Sequence, residues 1–143
     1  MADVNKDRIQ IFNSQGQFMR KFGSIGSENG QIKNLLGIGL LSNGNIVVAE
    51  NMGHLLPIFD PLGKFVRVVG AGQVKNPWHL FVDSDDNILV ADAGNNRIQV
   101  FHQNGNHIKS IGTGQMSYPR GICMDREGRS IVSQAAAHKI SIF

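Results

Sequence analysis

The sequence predicts an all-β fold, a β-propeller array of four-stranded antiparallel blades, on three observations. Four segments ending in phenylalanine recur: Arg8-Ile9-Gln10-Ile11-Phe12, Leu55-Leu56-Pro57-Ile58-Phe59, Arg97-Ile98-Gln99-Val100-Phe101 and Lys139-Ile140-Ser141-Ile142-Phe143. Their phenylalanines are 47, 42 and 42 residues apart. The 42-residue step also lays Asn45-Ile46-Val47-Val48-Ala49-Glu50 on Asn87-Ile88-Leu89-Val90-Ala91-Asp92, and those on Arg129-Ser130-Ile131-Val132-Ser133-Gln134. Finally, 17 glycines against 4 prolines, with apolar residues in short runs and no 3.6-residue pattern, favour short strands and tight turns over helices. A fixed period of this size with four strand-sized pieces per unit is the mark of propeller blades.

Within each unit, strand a is expected at Ile38 to Leu41, Leu80 to Asp83 and Ile122 to Asp125, and strand b at the Asn-Ile-Val block. Strand c ends in the phenylalanine, and strand d follows at Phe18 to Phe22, Phe65 to Val69 and His107 to Ile111. Asn13-Ser14-Gln15-Gly16, Asp60-Pro61-Leu62-Gly63 and His102-Gln103-Asn104-Gly105 join c to d. Each closes on a glycine where the turn needs positive φ. The 5-residue excess of the first interval falls in the Gly/Ser/Asn-rich stretch from Gly23 to Leu35, since loops absorb length and strands do not. Apolar residues on both faces of strand b suit a sheet packed between two neighbours.

The resulting segment, residues 1–143, holds strands c and d at about 8–23, whole units at about 36–70 and 78–112, and strands a, b and c at about 119–143. That is 13 strands, about three blades, whereas even a four-bladed ring needs about 16. Two accounts are open: a fragment of a longer array, or a homodimer in which two copies close one six-bladed ring.

Pro77-Trp78-His79-Leu80-Phe81-Val82-Asp83, Asn87 to Asp92, Asn95-Asn96-Arg97-Ile98-Gln99-Val100-Phe101 and Gly105 resemble the NHL repeat. Its usual form is Pro-x-Gly-Ile-x-Val-Asp, Gly-Asn-Ile-x-Val-Ala-Asp and Asn-His-Arg-Ile-Gln-Val-Phe. The second unit departs at Leu35, Leu41 and Gly53-His54-Leu55, and the fourth at Gln134 and Ala137-His138-Lys139. The resemblance implies a six-bladed propeller of the kind found at the C-terminal end of tripartite-motif (TRIM-NHL) ubiquitin ligases, where it binds RNA or protein. Ligase activity would reside in domains outside these residues. Related propellers include amidating lyases and other metal-using enzymes.

Composition adds limits. Cys123, the single cysteine, excludes an intramolecular disulfide and a cysteine-based zinc cluster, and its apolar neighbours predict a buried, inert thiol. With no signal peptide, spanning run or Asn-X-Ser/Thr acceptor in these residues, a cytoplasmic protein without membrane contact is expected. A formal charge of +3 permits a polyanionic partner without requiring one.

No catalytic residue, metal site or cofactor is expected. His54 and His138 share the turn position of Asn96, so each has a structural reason to be there. Asp92, Asn95, Asn96 and Arg97 read as partners of local backbone and of one another. Gly70-Ala71-Gly72 and Gly112-Thr113-Gly114 precede no helix that would hold a phosphate. The segments leading into each strand a remain. They set Lys33, Lys75, Trp78, His79, Tyr118 and Arg120 along one rim, a mixture suited to stacking unpaired bases and meeting phosphate. The expected activity is non-enzymatic recognition of single-stranded RNA or protein through that rim. A pure protein scaffold and a portion of a lyase- or hydrolase-like propeller are the alternatives.

Overall fold

The computed structural model describes all of residues 1–143. Its fourteen strands form four antiparallel sheets, each in simple meander order. The first holds β1 (Ala2–Asp3), β2 (Arg8–Phe12) and β3 (Phe18–Phe22). The second holds β4 (Leu35–Leu40), β5 (Ile46–Glu50), β6 (Leu56–Phe59) and β7 (Phe65–Val69). The third holds β8 (Pro77–Val82), β9 (Asn87–Asp92), β10 (Arg97–His102) and β11 (His107–Ile111). The fourth holds β12 (Pro119–Met124), β13 (Ser130–Gln134) and β14 (Lys139–Ile142). The a-type strands β4, β8 and β12 lie side by side at the inner edge, and the d-type strands lie outermost. Sheets arranged in this way are the blades of a propeller arc.

Three expectations change. The strand count is fourteen, not thirteen, because β1 pairs Ala2 with Ile9 and Asp3 with Arg8 as the end of a b-type strand. Two residues are too short to show alternation, although Ala2-Asp3 and Asp7-Arg8 repeat Ala91-Asp92 and Asn96-Arg97. The a-type strands also begin three residues early, at Leu35, Pro77 and Pro119. A register break follows in each, between Pro77 and Leu80 in β8 for example, and such bulges blur a period-2 pattern. Trp78 and Arg120 are therefore strand residues, not loop residues, and His79 lies in the a-type strand. Finally, Cys123 is exposed. Its neighbour Ile122 points into the core between the third and fourth sheets, so the strand's alternation turns Cys123 to the opposite, open face.

Each core lies between two sheets. In β5, Ile46 and Val48 pack back against Ile9 of the first sheet, while Val47 and Ala49 pack forward against Leu80, Ile88, Val90 and Phe101 of the third. One repeat later, Leu89, Ala91, Ile98 and Val100 pack forward against Ile122 and Val132 of the fourth. Alternate residues of a single strand thus serve two cores, which is why β5 and β9 carry apolar residues on both faces.

Candidate nucleic-acid or protein interface

The turns between b and c strands and the loops entering a strands share one rim, and a repeated device ties them together. Asp7, His54, Asn96 and His138 all take left-handed φ between 45° and 58°. Three of these side chains accept a backbone N–H at the entry to the next sheet: Asp7 Oδ1 from Leu35, the first residue of β4, at 2.7 Å, His54 Nδ1 from Asn76 at 3.0 Å, and Asn96 Oδ1 from Tyr118 at 2.7 Å. His54 is thus a clamp between blades.

Asp92 is a hub inside the third sheet. Its carboxylate accepts the Lys75 backbone N–H at 2.7 Å, Asn95 Nδ2 at 3.0 Å and Arg97 Nε at 2.9 Å. The Arg97 guanidinium reaches on to the Gln73 carbonyl at 3.2 Å. Asp92, Asn95 and Arg97, with Asn96 in the adjoining turn, all bond within the scaffold. No three His, Cys, Asp or Glu side chains converge in a geometry suited to a metal ion.

Of the six rim residues expected from sequence, the structure brings four together. The Arg120 guanidinium carbon lies 4.1 Å from the centroid of the Trp78 ring and 5.6 Å from that of Tyr118. This cation–π stack lays a flat cation over the indole face. Trp78, His79 and Arg120 border an open groove of about 500 Å³ that continues over Leu36, Cys123, Ile131 and Ile140. Trp78 Nε1 is enclosed and donates to no acceptor of the chain. The lysines lie elsewhere: Lys33 borders a separate cavity beside Glu50, and the Lys75 stem packs near Gly94. Leu36 was not singled out from sequence, although the 42-residue step puts Leu36, Trp78 and Arg120 in one register. Ile131 and Ile140 were not singled out either; their counterparts Leu89 and Ile98 are buried by a following sheet.

The electrostatics of the rim vary from sheet to sheet. Burial pushes the Glu50 carboxyl up to about 7 from an ordinary value of 4.5, partly offset by a hydrogen bond from the Lys33 backbone. On the opposite rim, the Ser42 hydroxyl and then its N–H hold Asp86 below the usual carboxylate range.

The four sheets define a β-propeller arc. Residues 75–101, which comprise the loop before β8 through to Phe101, match the NHL repeat family model. Over 73 residues, half of this chain, it is 37% identical to protein brain tumor of Drosophila melanogaster, covering 7% of that protein. Residues 75–101 are thus an NHL repeat set within a β-propeller arc. Among solved structures, a streptogramin B lyase aligns with 98% of this chain and 48% of its own at a TM-score of 0.73 and 16% identity. The virginiamycin B lyase variant from Staphylococcus aureus, solved with quinupristin, aligns with 99% of this chain and 50% of its own, at 0.71 and 17%. The WD40 β-propeller domain of Doa1 aligns with all of this chain and 48% of its own, at 0.71 and 13%. At such identities these likenesses speak to fold alone. The chain spans about half the length of these solved structures.

Proposed function

We propose that the chain is a non-enzymatic binding module, part of a tripartite-motif type regulator, that takes single-stranded RNA on the Trp78–Arg120–Tyr118 surface. The observation that carries this is the stacked guanidinium. Arg120 offers a planar cationic face at the open inner rim, able to stack an unpaired base on one side while Trp78 holds the other. Tyr118 and the exposed His79 extend the surface, and the +3 formal charge is compatible with a polyanion. The test is fluorescence anisotropy of labelled RNAs about ten nucleotides long. A saturable, salt-dependent affinity that falls at least fivefold in Trp78→Ala and Arg120→Ala supports the reading. No salt-dependent binding to any RNA of a degenerate pool removes it.

A protein segment is the second reading, favoured by the apolar course of the groove over Leu36, Ile131 and Ile140 and by the distance of Lys33 and Lys75 from it. Peptides enriched from a displayed library by this chain but not by Trp78→Ala would support it.

A second copy of the chain is proposed to cover the two end sheets, closing a ring. Ile140 and Ile142 are 71% and 58% exposed, whereas their counterparts Ile98 and Val100 are 0% and 4%. At the other end Phe12 and Phe18 stand edge to face on an open surface.

A further inference from the structure

The second sheet lacks the hydrogen-bond donors of the polar network that the third sheet carries, while keeping two of its acceptors, the carboxylate at the end of the b strand and the carbonyl of the preceding loop. In the third sheet, Arg97 Nε and Asn95 Nδ2 donate to Asp92. Arg97 and Gln99 Nε2 both donate to the Gln73 carbonyl at 3.2 Å, and Ser110 Oγ donates to Gln99 Oε1 at 2.7 Å. Forty-two residues earlier stand Glu50 for Asp92, Gly53 for Asn95, Leu55 for Arg97, Pro57 for Gln99 and Val68 for Ser110. The counterpart of Gln73 is Gln31, whose carbonyl accepts no backbone hydrogen bond.

Glu50 is only 5% exposed, yet no lysine or arginine forms an ion pair with it. Beside it opens a cavity of about 280 Å³, with Leu55, Pro57 and Val68 on its apolar side and Gln31 and Glu50 on its polar side. Gly53 leaves room for the acid: a Cβ there would lie 2.5 Å from Glu50 Cδ and Oε1. The other sheets show what this position ordinarily holds. Asp3 in the first sheet keeps its arginine, Arg8, at 2.6 Å. In the fourth, where arginine has become Lys139, the acid has become neutral Gln134, bonded to the Ser117 N–H at 2.7 Å and to Ser141. Only the second sheet keeps a buried carboxylate after losing its internal cation. A buried carboxylate without a counter-ion is costly and strongly favours a partner that supplies several N–H donors.

We infer that this cavity is a receptor for a guanidinium group, the side chain of an arginine presented by a partner protein. The guanidinium takes the place that Arg97 fills in the third sheet. It bonds the Glu50 carboxylate and the Gln31 carbonyl, and its methylene stem lies along Leu55, Pro57 and Val68. Burial, with the Asp7 charge adding to it, raises the affinity of Glu50 for a proton against the opposing Lys33 backbone hydrogen bond and charge, as befits an enclosed acid with no guanidinium bonded to it. Lys33, exposed at the mouth of the cavity, opposes a second cation and sets an upper bound on affinity. This inference does not depend on whether the Trp78–Arg120 surface takes RNA.

The test titrates the whole ¹⁵N-labelled chain at pH 8 with acetyl-arginine-methylamide, following amide shifts, with the neutral isostere acetyl-citrulline-methylamide alongside. Saturable shifts confined to Gln31, Glu50, Gly53 and their neighbours are expected, at least fivefold weaker for citrulline. Glu50→Gln should weaken binding at least tenfold with the spectrum otherwise intact, Lys33→Ala should tighten it, and Trp78→Ala should leave it unchanged. Leu55→Arg, which restores the internal cation, should abolish binding and raise Tm, giving an answer even if Glu50→Gln fails to fold. No saturable shift up to tens of millimolar, equal binding of citrulline, or binding that survives Leu55→Arg overturns the proposal.

Discussion

The imidazole of His54 in the second sheet accepts the backbone N–H of Asn76, which leads into the third, at 3.0 Å. The same bond is made one repeat on by an asparagine, Asn96, so the position requires a short-range acceptor that tolerates left-handed φ. His54→Asn should therefore keep the clamp and leave stability within about 0.5 kcal/mol of the parent. His54→Ala should cost about 1 kcal/mol, since it orphans the N–H and keeps the strained backbone. Urea unfolding of the two variants checks this, and equal midpoints would show that the clamp contributes nothing.

Arg120 and Trp78 form a stack whose strength depends on planarity as well as charge. Arg120→Lys keeps the charge and loses the flat face, so RNA affinity should fall nearly as far as in Arg120→Ala, with the salt dependence less altered. Anisotropy titrations at three salt concentrations separate the two effects. Full affinity in the lysine variant would reduce Arg120 to a simple charge.

Glu50 gives the protein a pH dependence of unusual sign. Its carboxyl binds a proton more tightly folded, at about 7, than at its ordinary value of 4.5. The folded state therefore holds more protons between those values, and this group's contribution to stability declines as pH rises from 4.5 to 7, then stays flat. Glu50→Gln should remove that decline and raise stability at pH 8 by about 1–2 kcal/mol, allowing for water in the adjoining cavity. Denaturant midpoints from pH 4.5 to 8 give the measurement, and parallel curves for the two proteins would refute it.

Asp86 acts in the opposite sense. The Ser42 hydroxyl, then the Ser42 N–H at 2.8 Å, stabilise its ionised form across the junction of the second and third sheets. A depressed carboxyl contributes stability above its unfolded value, 3.8, that is lost as pH falls through the folded one. Ser42→Ala removes the hydroxyl and keeps the Ser42 N–H and the longer Gln103 Nε2 contact at 3.4 Å, so acid unfolding followed by circular dichroism should begin at a higher pH.

If a second copy covers the end sheets, light scattering should give twice the mass of one chain, and Ile140→Ser with Ile142→Ser should return it to a single chain. A single-chain mass in the parent would sink the ring-closing dimer.

The repeat made most of this architecture readable in advance, because one 42-residue step fixes strand order, turn glycines and the alternation of Ile46, Val47 and Val48 at once. What escaped was what a period cannot carry. Ala2–Asp3 is too short to show alternation, and the bulge after Pro77 hides the true start of β8. Cys123 was misplaced because an apolar residue in a strand is buried only if something stands on its side of the sheet. At the candidate interface, Trp78, Tyr118 and Arg120 were singled out by chemistry, but their stacking is a matter of side-chain direction. The Glu50 cavity lay in the departures from the motif, where the sequence showed Gly53 and Leu55 as losses without the space they leave.

Each clamp reaches forward by one repeat, and each core is shared by two sheets and no more. Nothing in that grammar refers to a total: no residue of a blade records how many others exist. Array length is then free to change by duplication without redesign of any joint, and only the angle between one pair of sheets decides when a circle is complete.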